Sequence, residues 1–141
     1  MKKFEYRAEK LLRVYEIERD QERKKLSELQ KEVNKMEKRI EENNAKIKLA
    51  YEALVDDKQS ALDKQSIPVH ISFLKQKNAE VEEQLKETLR FHQEKMRDLL
   101  EAQKKVKSLE KHKDQKKKEY RKEKKDWEEK YLNDLNSRKR K

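Results

Sequence analysis

The chain has 141 residues, of which 50% are charged and 32% are hydrophobic, and it contains no glycine, no cysteine and one proline. An ordinary domain is about one quarter charged and nearly half apolar, so this composition excludes a thick globular core. Without cysteine there are no disulfides and no thiolate metal sites, as is common in a reducing compartment. No apolar run approaches the roughly 18 residues of a membrane-spanning helix, and the charged start lacks a signal-peptide core. We therefore expect a cytoplasmic protein with no direct membrane span.

The net charge of +10 lies near the C-terminal end of the chain. Residues 103–141 hold 17 Lys/Arg against 8 Asp/Glu, whereas residues 1–102 hold 23 against 22. An anionic partner should therefore meet the last quarter of the chain. Acidic residues interrupt the basic stretch at residues 104–125, so a solvated helix face or an acidic protein partner fits it better than nucleic acid, which we do not expect to bind.

Apolar residues in the first half of the chain recur at alternating steps of three and four. This heptad pattern predicts a first helix at about residues 3–56 with an apolar seam along one face. Carrying the pattern backward places Leu12 and Tyr15 in the seam, and Asn43 is a polar core residue that would fix the register. The other seam positions are Leu26, Val33, Ile40, Ile47 and Leu54, and Leu29, Met36 and Ala50.

The pattern fails at residues 57–68, where polar residues gather and Pro68 follows. Proline has no backbone N–H and pushes the residue before it out of helical conformation. It is favourable in the first turn of a helix, where Ser66 would act as the N-cap. We therefore predict a connection at 57–68, which can contain a local turn of helix, and a second helix that starts at about residue 69.

The heptad pattern resumes in the predicted second helix, at about residues 69–136, before a basic tail at 137–141. Its seam contains polar Asn78, Thr88 and His92, and lysines occupy core positions at Lys113 and Lys116, where we expect a wet, weakly paired seam. The other seam positions are Ile71, Leu85, Leu99, Val106, Tyr120 and Trp127, and Leu74, Val81, Ala102 and Leu109.

Two seams of similar length on either side of one break predict an all-α fold: two long helices in an antiparallel coiled-coil hairpin that forms a single domain, residues 1–141. We expect a monomer; the rival is a parallel dimer with a proline kink. The hairpin would place both termini at one open end, together with six of the nine aromatic residues. Those residues either seal the end by packing or serve as anchors for a protein partner. Phe73, off the seam near the turn, either packs on the connection or contacts a partner.

No catalytic arrangement is visible, and we expect a protein that is not an enzyme and has no cofactor. A glycine-rich phosphate-binding loop is excluded by composition. The three histidines, His70, His92 and His112, are not spaced as a metal-binding pair on one helix face. Most carboxylates have a lysine or arginine three or four positions away, as solvated helices commonly do.

The opening residues 4–16, FEYRAEKLLRVYE, resemble the start of the bacterial flagellar export protein FliJ family. That family opens with an aromatic residue, a basic residue, a Leu-Leu pair and a Glu-rich helix. The mid-chain break, the length and the closing segment at residues 109–127, which contains KEYRKEKKDW, also resemble it. The C-terminal helix here is denser in lysine than in some members of the family.

This resemblance implies an antiparallel coiled-coil stalk similar to the γ subunit of rotary ATPases. Such a stalk enters the hexameric flagellar export ATPase, promotes ring assembly, links the ring to the export gate protein at the cytoplasmic face of the inner membrane, and is associated with export chaperones. The implied ring contacts are Phe4, Tyr6, Leu11, Leu12, Tyr15, Tyr120, Trp127 and Tyr131. The implied gate contacts are Ile71, Phe73, Leu74, Val81 and Leu85. The stalk of a virulence injectisome, a nucleic-acid-binding coiled coil and a tethering coiled coil are the alternatives.

Overall fold

The computed structural model describes residues 1–58 and 60–139, and over these residues it contains two helices. Helix α1 spans Glu9–Val55 and helix α2 spans Ala61–Lys139. The two helices pack against each other as an all-α hairpin, which confirms the predicted fold class. The apolar seams are therefore joined within one chain, as the hairpin requires and the parallel dimer does not.

The heptad seam decides which side chains the helices shield from solvent. In α1, every predicted core position from Leu12 to Leu54 is buried or partly buried, and both Leu12 and Val33 are 3% exposed. In α2 the buried apolar residues are Ile71, Leu74, Leu99, Ala102 and Val106. A chain that is half charged has enough apolar side chains for one narrow stripe on each helix, and facing stripes cover each other.

The chain divides into two compact units. The turn unit is Arg23–Asp98, and the terminal unit combines Met1–Glu22 with Leu99–Lys141. In the turn unit, the Asp56 carboxylate accepts a hydrogen bond from the Lys58 N–H at 3.0 Å. The Ser60 hydroxyl oxygen accepts one from the Asp63 N–H at 3.2 Å. Ser60 is therefore the N-cap of α2, with a carboxylate three residues later to favour the helix start.

The predicted connection at 57–68 and the predicted cap at Ser66 are wrong, because α2 begins at Ala61 and Pro68 lies inside it. Pro68 cannot donate to the carbonyl of Lys64, but it is exposed, two turns into the helix, where water can solvate that carbonyl. The Ser66 hydroxyl donates to the Asp63 carbonyl at 2.9 Å instead of capping. The N-cap at Ser60 therefore marks the helix start, and the exposed Pro68 is accommodated inside the helix.

The other predicted helix ends also shift. Helix α1 begins at Glu9 rather than near residue 3, because residues 1–8 contact α2 in a non-helical conformation. Helix α2 continues through Lys139 rather than ending near residue 136. Gln59 of the predicted connection and Arg140 and Lys141 of the predicted tail lie outside the described residues.

Three asparagine side chains join the helices in the middle of the turn unit. The Asn43 amide donates to the Asn78 side-chain oxygen at 2.9 Å, and the Asn78 amide donates to the Asn44 side-chain oxygen at 2.9 Å. Asn78 is 7% exposed. A buried amide is stable only where a partner is placed to satisfy it, so sliding α1 along α2 would leave Asn78 unsatisfied. This arrangement matches the register role expected for Asn43.

The N-cap assignment predicts different effects for two serines that lie six residues apart. Ser60→Ala should lower the free energy of unfolding by about 1 kcal/mol, because it removes the acceptor for the Asp63 N–H. Ser66→Ala should cost clearly less, since its hydroxyl bonds to a carbonyl already at the helix surface. Urea unfolding followed by circular dichroism measures both. A larger loss for Ser66→Ala would mean that Ser66, rather than Ser60, is the N-cap of α2.

The asparagine cluster predicts that Asn78→Ala lowers the free energy of unfolding by about 1–3 kcal/mol, because Asn43 and Asn44 lose their partner. Asn34→Ala is the matched control: Asn34 is exposed and bonds only to Gln30 of the same helix. The control should lie within about 0.5 kcal/mol of wild type. Equal losses of unfolding free energy for the two variants would mean that the asparagine cluster does not fix the register of the helices.

Candidate partner-binding surfaces

The first eight residues form a non-helical segment, here called the N-terminal strap, that lies along α2. The Tyr6 ring is 5.5 Å from the His112 ring, and the Tyr6 hydroxyl lies 2.6 Å from His112 Nδ1. The Tyr6 hydroxyl also donates to the Leu109 backbone carbonyl at 3.4 Å. Tyr6 is therefore fixed to α2 by both its ring and its polar tip.

A second aromatic contact holds the beginning of the strap. The Phe4 and Tyr120 ring centroids are 5.6 Å apart in a tilted arrangement, and the Tyr120 hydroxyl donates to the Lys2 carbonyl at 2.5 Å. The structure thus brings together three of the eight residues predicted to contact an ATPase ring, namely Phe4, Tyr6 and Tyr120. All three are partly buried, so they seal the end of the hairpin, which was one of the two functions expected for these aromatics.

An ion pair stabilises the seam where lysines interrupt it. Lys113 Nζ lies 2.8 Å from Glu9 Oε2, and Arg13 Nε lies 3.9 Å from Glu9 Oε1. The hydrogen bond from Lys113 lowers the pKa of the Glu9 carboxyl below its ordinary value of 4.5, while desolvation opposes the shift. The expected core position of Lys116 is wrong: Lys116 is exposed, and Lys117, four residues after Lys113, is partly shielded instead.

An open groove of about 800 Å³ lies between the strap, the first turns of α1 and the lysines of α2. Cationic side chains outnumber carboxylates around it, although Glu9 already pairs with Lys113. Its lining residues are Phe4, Glu5, Tyr6, Arg7, Glu9, Lys10, Arg13, Lys113 and Lys117. The groove therefore combines Lys113 and Lys117 of the basic C-terminal quarter with Arg7, Lys10 and Arg13 of the N-terminal segment.

Helix α2 continues well past the strap, and we call residues 121–139 the overhang. Every residue of the overhang is exposed except Leu135, which is partly buried. Trp127 and Tyr131, one turn apart, stack with ring centroids 5.7 Å apart and an interplanar angle of 7°. Trp127 is 49% exposed and Tyr131 is 54% exposed, so the seam position expected for Trp127 is left open to solvent. The strap reaches only Tyr120 through the carbonyl of Lys2, so it does not cover the helix beyond that point.

The Leu11–Leu12 pair divides between the inside and the outside of the terminal unit. Leu12 is buried in the seam, and Leu11 is exposed. Val14 and Ile17 are also exposed and follow Leu11 at steps of three, so the three side chains form an outward apolar stripe. Sequence analysis missed Val14 and Ile17, which their spacing from Leu11 could have revealed. Tyr15 is partly buried, and Lys105 Nζ lies 5.5 Å from the centre of its ring.

The five predicted gate-contact residues all lie in the turn unit, but they do not form one surface. Ile71 and Leu74 are buried in the seam, and Val81 and Leu85 are partly buried. Phe73 is 54% exposed, with Lys77 Nζ 5.5 Å from its ring centre. Phe73 therefore lies off the seam, as predicted, and is free of the connection.

The turn unit has two further exposed features, a groove beside Phe73 and an exposed tyrosine. Phe73, Leu74, Lys77 and Val81 line a groove of about 300 Å³ with residues of α1. Sequence analysis missed Tyr51, which is 46% exposed and whose hydroxyl accepts a hydrogen bond from Lys75 at 2.9 Å. Exposed aromatics with adjacent ammonium groups are common anchors in protein interfaces.

Comparison of the chain with protein-family models, with curated proteins and with solved structures finds no match. Within residues 1–58 and 60–139, no group of His, Cys, Asp or Glu side chains is arranged to hold a metal ion. Neither described helix is long and apolar enough to cross a membrane. The candidate partner-binding surfaces are the stripe, groove and overhang of the terminal unit, and Phe73 with its groove in the turn unit.

The Glu9–Lys113 pair predicts a pH-dependent difference between wild type and Glu9→Gln. Because the folded chain lowers the pKa of Glu9, the pair stabilises the fold above the ordinary carboxyl pKa and loses this effect as the pH falls through the lowered value. Wild type should therefore have a higher Tm than Glu9→Gln at pH 7, and the two should converge as the pH falls below the lowered pKa of Glu9. Thermal circular dichroism measures both Tm values. A difference that stays constant with pH would mean that the pair is not responsible.

Proposed function

We propose that this protein is a non-enzymatic stalk of the flagellar type III protein export apparatus. In this function the terminal unit enters the ring of the hexameric export ATPase and promotes its assembly, and the turn unit contacts the export gate protein. The stalk acts as a single chain at the cytoplasmic face of the inner membrane. The resemblance of residues 4–16 and 109–127 to the FliJ family supplies the partners.

The helical hairpin supports this proposal because a stalk that enters a ring needs a stiff element whose apolar seam is satisfied within one chain. Both helices are long, with 47 residues in α1 and 79 in α2. Their seams cover each other, so the helices do not need a second copy of the chain to bury them.

The single observation that carries the proposal is the stacked Trp127–Tyr131 pair on the overhang. Both residues are about half exposed, although both have large aromatic side chains. Tryptophan and tyrosine are enriched among the residues that dominate binding energy in interfaces. The exposed stripe residues Leu11, Val14 and Ile17 belong to the same terminal unit and add apolar surface to it.

The exposed Phe73 supports a second, separate contact surface in the turn unit. Its ring has only the Lys77 ammonium over it, at 5.5 Å, and both lie along a shallow groove. Of the predicted gate contacts, Phe73 is the one with most surface to offer, whereas Ile71 and Leu74 hold the hairpin together. We therefore assign the gate contact to Phe73 and its groove.

The proposal predicts that the two surfaces can be inactivated separately in the full chain. Trp127→Ala combined with Tyr131→Ala should reduce stimulation of the purified export ATPase by at least about fivefold, as expected for interface anchors. Phe73→Ala should leave this stimulation unchanged and weaken capture of the gate protein's cytoplasmic domain. ATP hydrolysis and pulldown measure the two effects.

Leu62→Ala is the control, because Leu62 is an apolar residue that is even more exposed, at 79%, and lies outside both surfaces. It should change neither readout, and all variants should keep the helical circular dichroism of wild type. Wild-type stimulation by the Trp127/Tyr131 variant would exclude the overhang from ATPase contact. Failure of the wild-type chain to stimulate the ATPase at all would exclude the proposed function.

A further inference from the structure

We infer that the overhang binds an α-helix of another protein whose end turns are acidic, and that this helix completes an apolar seam along α2. The inference deepens the proposed function by naming the partner chemistry of one surface. It rests on the overhang alone, so it can be tested without the export ATPase.

The first observation is that the apolar stripe of α2 does not stop where the strap stops. Tyr120, Trp127, Tyr131 and Leu135 follow one another at steps of seven, four and four, which place them on one face of an α-helix. Tyr120 is covered by Phe4, whereas Trp127 and Tyr131 are open to solvent. The stripe thus has the spacing of a coiled-coil seam with one of its two helices missing beyond Tyr120.

The second observation is the charge pattern along the overhang. Residues 121–125 hold four Lys/Arg against one Glu, residues 126–134 hold four Asp/Glu against one Lys, and Arg138 and Lys139 follow. The overhang is therefore basic, then acidic, then basic. Charges that flank a helical seam determine which partner and which orientation are favoured.

This pattern argues against a second copy of the chain as the partner. In a parallel pair, each basic segment would face its own copy. In an antiparallel pair centred near Lys130, residues 121–125 would face Arg138 and Lys139, and the acidic middle would face itself. Like charges oppose each other in both orientations, and such pairs are destabilising.

A partner helix with acidic end turns and a basic or neutral middle has opposite charges along the same length. It can pack apolar residues on the Trp127–Tyr131 stack while its end turns pair with Lys124 at one end and Arg138 at the other. Helix addition of this kind uses side-chain anchors at steps of three and four, a common mode of peptide recognition.

The only tryptophan of the chain, Trp127, is a direct reporter of occupancy. The probes are two synthetic 21-residue helical peptides without tryptophan that share one leucine seam. One carries glutamates in its first and last turns and lysines in the middle, and the other carries the reverse. Addition of the acidic-ended peptide to the full chain should shift Trp127 emission to shorter wavelength and saturate. The basic-ended peptide should bind at least about tenfold more weakly, with the difference shrinking at high salt.

The matched variant is Lys124→Glu combined with Arg138→Glu, which reverses charge at two exposed positions and keeps the aromatic stack. It should now prefer the basic-ended peptide while its circular dichroism stays that of wild type. Equal binding of both peptides, or no shift with either, would overturn the inference. An emission shift that grows with protein concentration in the absence of peptide would overturn it as well, because a second copy would then be the occupant.

Discussion

The fold depends on a narrow apolar seam that repeats every seven residues in a chain of which half the residues are charged. Within the described residues, the fully buried apolar side chains lie in this seam, at Leu12 and Val33 in α1 and from Ile71 to Val106 in α2. A thin seam of this kind contributes little free energy per turn, so it needs many turns to be stable. The length of the helices is thus a consequence of the composition. Where one helix extends past the other, its apolar side chains stay exposed, as they do on the overhang.

Polar residues within the seam give the hairpin its specificity. Leucines and valines at equivalent heptad positions would pack nearly as well after a shift of one heptad, whereas the amides of Asn43, Asn44 and Asn78 satisfy one another in one alignment. The Glu9–Lys113 pair has the same effect in the terminal unit, where a lysine occupies the seam and a carboxylate neutralises it at 2.8 Å. Each unit therefore contains its own polar contact across the seam.

The sequence was sufficient to predict the hairpin and the shielded face of α1, because heptad periodicity acts over short distances and dominates wherever the helices face each other. It was insufficient at the start of α2, because the helix begins at Ala61 with Ser60 as its N-cap and accommodates the exposed Pro68 inside it. It was insufficient again beyond Leu109, where Lys117 rather than Lys116 turns toward α1. The strap was missed for a different reason. Its hydrogen bonds join residues more than 100 positions apart, and no periodic signal encodes them.

The aromatic residues near the two ends of the chain looked alike in sequence, yet they divide into two groups with different consequences for binding. One group packs within the terminal unit: the Phe4 ring contacts Tyr120, and the Tyr6 ring contacts His112. The Tyr120 hydroxyl also donates to a backbone carbonyl of the strap. These rings therefore stabilise the strap and offer little surface to a partner. Trp127 and Tyr131 contact each other but are covered by no other ring. An aromatic pair that remains half exposed contributes only part of the free energy that its burial would release, and the remainder is released only when a partner covers it. The overhang, rather than the whole aromatic end, therefore has the aromatic surface that remains open to a partner.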